Sequence, residues 1–108
     1  MPAAFKQALE DLKPIRLPAG SKSNPVLVYD VKAVYPPEAR TQKLEGVVEV
    51  EVIIDRDGQV AQARITGPVE GLNEAALDAV RQWRFQPALM NGEPTAVVCS
   101  VEISFRLK

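Results

Sequence analysis

The sequence has 108 residues, 46% of them hydrophobic and 25% charged, a composition typical of one globular domain with a single modest core. Thirteen basic side chains against 14 acidic ones give a net charge of −1. Nucleic acid, which rewards a concentrated positive field, is therefore not an expected partner. Histidine is absent and Cys99 is the single cysteine, which excludes a Ser-His-Asp triad, an HExxH zinc motif and an intrachain disulfide. We expect no catalysis, no cofactor and no metal.

The first 25 residues predict a helix followed by a tether. Phe5, Leu9 and Leu12 fall at i, i+4 and i+7, so residues 1–12 favour a short amphipathic helix. Residues 13–25 contain three prolines, one glycine and two serines, which is typical of a linker. We interpret residues 1–25 as the loosely held end of a longer tether and residues 26–108 as the folded domain.

The first half of that domain predicts an extended segment, a short helix and a hairpin. Residues 26–34 favour a strand that Tyr35-Pro36-Pro37 ends, and Pro37 suits the first position of a helix. Residues 46–54 alternate apolar and polar side chains, and Asp57-Gly58 supplies a hairpin turn. The returning strand, residues 60–65, alternates less clearly, which indicates a bulge. The acidic turn lacks the remaining ligands of a calcium loop, so we read it as a turn only.

The second half predicts a helix and a final strand. The helix runs from an N-cap at Asn73 to about Trp83, and Asn91-Gly92 marks a turn. The last strand alternates cleanly and places Cys99 among the buried residues. The predicted core of this half contains Trp83, Phe85, Val101, Ile103 and Phe105.

These elements predict an α+β domain. A right-handed crossover would give a three-stranded antiparallel sheet of order 2-1-3, with one main helix packed on one face and the short helix after Tyr35-Pro36. The third strand, residues 95–105, becomes a free edge. It contains no proline or lysine, the residues that usually blunt such edges.

Six short motifs then appear in a fixed order over residues 25–108. They are Tyr35-Pro36, Gly46-Val47-Val48, Asp57-Gly58, Leu72-Asn73-Glu74-Ala75-Ala76, Trp83-Arg84-Phe85-Gln86-Pro87 and Gly92-Glu93-Pro94. In this series the chain resembles the periplasmic C-terminal domain family of TonB proteins. It departs from the family pattern at Ala33, where proline is frequent, and at Lys32, where some members have glutamine.

The resemblance implies a non-enzymatic periplasmic domain of a protein anchored in the inner membrane. Its partners would be the TonB-box peptide of an outer-membrane transporter and, through an N-terminal anchor, a motor complex driven by the proton gradient. A homodimer is a further possible assembly. An extended peptide can add to an open strand edge through main-chain hydrogen bonds. The residues expected to meet that peptide are Lys32, Tyr35, Pro36, Val98, Ser100, Glu102 and Ser104.

Two alternatives stay open. The first is an envelope linker of the TolA type, which a transporter-derived TonB-box peptide would distinguish by failing to bind. The second is a structural role, either edge-to-edge dimerisation or a sensory appendage of a larger membrane peptidase. The N-terminal sequence of the full gene would separate a tethered domain from such an appendage.

Overall fold

A computed structural model describes residues 3–16 and 26–107 of the chain. The architecture is α+β, as expected. In chain order the elements are α1 (Ala3–Leu12), β1 (Ile15–Arg16), β2 (Leu27–Tyr29), α2 (Pro37–Thr41), β3 (Gly46–Ile54), β4 (Val60–Gly67), α3 (Asn73–Arg81), β5 (Arg84–Phe85), β6 (Ala88–Met90), β7 (Glu93–Thr95) and β8 (Val97–Phe105). None of the helices in the described ranges is long and apolar enough to cross a bilayer.

The main sheet has four strands in the order β1-β8-β3-β4. Strand β3 is central and antiparallel to both long neighbours, and its register with β8 runs from Gly46 opposite Phe105 to Ile54 opposite Val97. The prediction of a three-stranded sheet is therefore wrong, although the three long strands have the expected neighbours. The fourth strand, β1, pairs in parallel with the start of β8. A two-residue strand carries no periodic pattern, so the sequence gives no sign of it.

The β3–β4 hairpin forms where the sequence predicts it. The Asp55 carboxylate accepts hydrogen bonds from the N–H groups of Asp57 and Gln59, at 2.9 and 3.0 Å. Gly58 has a φ of +85°, and a Cβ there would lie 1.9 Å from the carbonyl oxygen of Phe85. Only glycine therefore fits this turn. The register of β3 against β4 shifts at the end of β3, as the weak alternation of the second strand indicated.

Helix α3 packs on one face of the sheet and closes the larger core. Its apolar stripe, Leu72, Ala76 and Val80, is fully buried against β3 and β4. The helix begins at Asn73 rather than after it, and the side-chain oxygen of Asn73 accepts a hydrogen bond from the Val69 N–H at 2.9 Å. Asn73 therefore braces the preceding loop, and its expected role as the N-cap is wrong.

Helix α1 packs on the opposite face of the sheet. Phe5 is fully buried in a second, smaller cluster with Ile53 and Val98. The guanidinium of Arg64 lies 4.6 Å from the centroid of the Phe5 ring, a cation–π contact. The interpretation of this helix as a loosely held tether did not anticipate the packing. The domain boundary at residue 25 stays a prediction, because residues 17–25 lie outside the described part of the chain.

The segment before α2 is less regular than predicted. The strand expected over residues 26–34 is confined to β2, which pairs with the short strand β5. Residues 30–36 form neither helix nor strand. The short helix α2 begins at Pro37, as the motif predicted. Proline suits this position because the first residue of a helix needs no N–H for an intrahelical hydrogen bond.

Candidate functional site

The outer edge of β8 is open over only part of its length. The Ile15 N–H donates to the carbonyl oxygen of Ala96 at 3.0 Å, so the main-chain groups of residue 96 point away from β3. Because these groups alternate along a strand, those of Val98 and of the residues at 100, 102 and 104 also point outward. Strand β1 lies beside Val97 and Val98. In the described ranges no strand pairs with this outer edge of β8 beyond that point.

The exposed side chains of this edge lie on the face that α1 only partly covers. Ser100, Glu102 and Ser104 are exposed. Val98 is 1% exposed and packs beneath α1, so its side chain does not lie at the surface, and the expectation that it meets a partner stays a prediction. The predicted edge is also too long, because Thr95 belongs to β7 and the first two residues of β8 already have a neighbour. Within the described part of the chain, the open edge is therefore residues 99–105.

A groove of about 360 Å³ lies next to this open edge. Residues 30–33, together with Tyr35 and Trp83, form one wall, and residues 102–106 form the other. Four of the residues expected to contact a partner thus line one groove: Lys32, Tyr35, Glu102 and Ser104. Pro36 lines a separate pocket beside α2, and Ser100 is exposed further along the strand.

Contacts of Tyr35 and Trp83 fix the groove wall formed by the irregular segment before α2. The Tyr35 hydroxyl donates to the carbonyl oxygen of Leu44, and the Tyr35 ring meets Phe105 edge-on at 5.5 Å. Burial, with the nearby Glu45 carboxylate, raises the pKa of Tyr35 above its ordinary value. The indole N–H of Trp83 donates to the carbonyl oxygen of Val31 at 2.9 Å. These bonds anchor an otherwise irregular segment at both of its ends.

The residues expected in the core divide between the interior and the groove. Phe85, Ile103 and Phe105 are buried. Val101 and Trp83 are half-buried, and Trp83 presents part of its ring system to the groove while packing 6.2 Å from Phe85. Trp83 thus contacts both the core and the surface beside the open edge.

A buried ion cluster marks the boundary between the covered and the open parts of the sheet. Glu51 is 6% exposed and forms salt bridges with Arg16 and Arg64. Burial by itself would raise the pKa of Glu51, but hydrogen bonds and charges from the two arginines outweigh it and lower the pKa below its ordinary value. Sequence reasoning missed this cluster, because a glutamate on the polar face of a strand normally lies in solvent.

The chemistry available at this edge is that of the main chain. In residues 3–16 and 26–107, no three side chains of His, Cys, Asp or Glu come together as a metal ion would require. Burial raises the pKa of the Cys99 thiol to about 11, which makes it a poor nucleophile near neutral pH. What the site offers is a row of unpaired strand groups beside a preformed groove.

Comparison with known proteins gives a consistent result. The family model described as Gram-negative bacterial TonB protein C-terminal matches residues 31–107. Protein TonB of Vibrio cholerae is 32% identical over 105 residues, covering 89% of this chain and 43% of that protein. Protein TonB of Xanthomonas campestris is 32% identical over 75 residues, covering 68% of this chain and 34% of that protein. The chain therefore spans less than half the length of these relatives.

Two solved structures are similar. The TonB C-terminal domain of Pseudomonas aeruginosa, a solution NMR structure, has a TM-score of 0.64 at 22% identity and covers 83% of this chain and 92% of that one. The TonB2 protein of Vibrio anguillarum has a TM-score of 0.52 at 26% identity, with 88% and 93% covered. Because the Pseudomonas aeruginosa domain is only 22% identical to this chain, the comparison with it shows a shared fold and nothing more.

Proposed function

This chain belongs to the family of Gram-negative bacterial TonB protein C-terminal domains, and from that premise we propose that it binds the TonB-box peptide of an outer-membrane transporter. The proposed binding mode is strand addition, in which the peptide extends the sheet along the outer edge of β8. One observation carries the proposal. Over residues 100–104 the outward main-chain groups have no strand beside them in the described ranges, whereas the same edge two residues earlier accepts β1.

Strand addition suits a mechanical task. The hydrogen bonds of an added strand lie side by side, so a force along the strand loads all of them together. They depend little on the side chains of the peptide, which allows several transporters to be served by one edge. Pockets beside the edge would supply selectivity by contacting side chains of the peptide. The groove lined by Lys32 and Tyr35 is such a pocket, because it adjoins residues 102–106 of the edge.

The wider role follows from the family and concerns the whole protein. The domain works in the periplasm, joined by its N-terminal side to an inner-membrane anchor and a motor complex driven by the proton gradient. It transmits mechanical work and catalyses no reaction. The open edge also allows a homodimer, which would compete with peptide for the same groups.

Substitution of proline for Ser100 or for Glu102 tests the proposed strand addition. Each substitution removes one outward N–H, and the ring blocks the approach of a strand, while the core face of β8 is untouched. Losing one hydrogen bond of about 0.5–1.5 kcal/mol should weaken a labelled TonB-box peptide by up to about tenfold. Fluorescence titration measures the affinity, and circular dichroism verifies that each variant is folded.

Ser100→Ala and Glu102→Ala are the matched controls, because they change the same side chains but keep the N–H. Each should bind more tightly than the proline variant at the same position, because only proline removes the outward N–H. If both folded proline variants bind like the wild type, the peptide does not add to β8 and the proposal is wrong. Sedimentation of the free protein identifies any variant whose change in binding comes from a change in dimerisation.

A further inference from the structure

A second groove adjoins the open edge at the far end of β8. It measures about 690 Å³ and is lined by Tyr35, Arg40, Lys43, Arg106 and Leu107. Tyr35 and Arg106 also line the first groove, so the two grooves adjoin each other. Among the described residues, no acidic side chain lines the second groove, although the chain as a whole carries more acidic than basic residues. The concentration of positive charge is therefore local.

The three cations of this groove form no salt bridge with any side chain in the described part of the chain. The salt bridges within the described ranges involve Arg16, Arg64 and Arg81 and none of the groove residues. The Glu45 carboxylate accepts the Leu107 N–H at 2.8 Å and forms no salt bridge with a groove cation in the described ranges. Arg40 lies 5.7 Å over the Tyr35 ring, which orients it without neutralising it. Unpaired cations around a concave surface favour an anionic ligand.

The geometry of the edge determines which part of a bound peptide reaches this groove. At the start of β8, strand β1 occupies Val97 and Val98 and blocks extension in that direction. A strand lying along residues 100–104 can therefore continue only past Phe105, toward Arg106. We infer that the groove lined by Arg40, Lys43 and Arg106 binds carboxylate side chains of the partner segment that flanks the added strand.

This inference rests on the proposed strand addition and names the chemistry of the flanking sequence. The carboxylates would form exposed ion pairs, which individually contribute little and are screened by salt. Three such pairs together should tighten binding by about five- to tenfold at low ionic strength. The gain should vanish near 1 M salt, where the Debye length falls to about 3 Å.

Four TonB-box peptides test the inference. They carry three aspartates or three asparagines, at either the N-terminal or the C-terminal end. The peptide direction along β8 decides which end enters the groove, so the aspartate effect should appear at one end only. An equal effect at both ends would indicate general attraction and overturn the inference, as would no effect at either end.

Charge removal on the protein completes the test. Lys43 has a φ of +57°, so Lys43→Asn keeps a residue that tolerates this conformation, and it is combined with Arg40→Gln, since Arg40 lines the second groove but not the first. The double variant should lose most of the aspartate effect and bind the asparagine peptides normally. The matched control, Lys6→Gln with Arg56→Gln, removes the same charge far from the groove and should retain the effect. If the asparagine peptides do not bind the wild type at all, the strand-addition proposal fails instead.

Discussion

The two ends of β8 share one backbone geometry and one alternating pattern, yet their surroundings differ completely. At the start, Val97 and Val98 have β1 alongside and α1 beneath, with Phe5 fully buried over Val98. At the end, Ser104 is exposed and no strand in the described ranges lies outside it. The contrast teaches that the N-terminal elements α1 and β1 cover the start of this edge, and therefore limit the stretch open to the proposed peptide.

The covered end also shows that this edge accepts an added strand. Strand β1 pairs with β8 in parallel and is fixed by the Ile15 N–H and the salt bridge of Arg16 with Glu51. A partner peptide longer than the open stretch would have to displace it. The N-terminal segment and the proposed peptide are therefore neighbours that compete at their boundary.

The largest expected effect is a loss of folding stability when the Phe5 ring, which holds α1 against the start of β8, is removed. Phe5→Ala removes a fully buried aromatic ring, a change that costs about 3–5 kcal/mol when the surroundings stay in place. If α1 and β1 detach first, the loss is limited to their docking free energy. Urea denaturation measures the global loss, and amide hydrogen exchange at Val98 reports local detachment.

The control for this change lies on the same sheet face at the open end. Val47 is 38% exposed and pairs opposite Ser104. Val47→Ala should cost only about 0.5 kcal/mol, as is usual for surface positions. Equal stability losses for the two variants, or an unchanged midpoint for Phe5→Ala, would mean that α1 does not close this end in solution.

A smaller effect is expected from the ion cluster at the boundary. Glu51→Gln removes the charge that faces Arg16 and Arg64, and hydrogen bonds to charged groups contribute about 1.5–3 kcal/mol. We expect a loss of about 2 kcal/mol at neutral pH, toward the middle of that range. Thermal or urea unfolding of both proteins measures it.

The pH dependence of that loss follows from the direction of the pKa shift. The folded-state pKa of Glu51 lies below the unfolded value of about 4.3. Its ionised form therefore stabilises the fold fully above that pH, and the contribution disappears as the pH falls through the folded pKa. The difference between wild type and Glu51→Gln should shrink in acid. A difference independent of pH would show that the charge of Glu51 is not what matters.

The smallest effect is expected at Glu49, which lies two residues before Glu51 in β3. Glu49 pairs directly opposite Glu102 on the exposed face, and like charges at such positions are destabilising. Glu49→Gln should raise stability by about 0.3 kcal/mol, with a weaker hydrogen bond from the Thr66 hydroxyl to an uncharged amide oxygen offsetting part of the gain. A destabilisation as large as that of Glu51→Gln would contradict the contrast between the covered and open parts of the sheet.

Much of the fold could be predicted because it rests on local patterns. The apolar alternation of β3 and β8, the Asp57-Gly58 turn and the proline at the start of α2 each have a short-range physical cause. The strand over residues 26–34 was overestimated, because β-favouring residues there face solvent and only Leu27–Tyr29 find a partner in β5.

The proposed site could be predicted only in outline. The polar residues at positions 100, 102 and 104 follow from alternation, but Val98 has the same phase and is buried by α1. The second groove joins Tyr35, Arg40 and Arg106, which are far apart in sequence and carry no common pattern. Its positive charge becomes visible only after folding.

The sequence by itself therefore determined the three long strands and the main helix, the hairpin, the core-facing side of β3 and β8, and the family. Those properties depend on the spacing of side chains within a few residues. Tertiary structure alone decided that α1 and β1 cover one end of β8, that Glu51 is buried between two arginines, and that three cations converge at the open end. Each of these depends on contacts between distant segments, and a two-residue strand or a single charge leaves no periodic signal from which such contacts could be read.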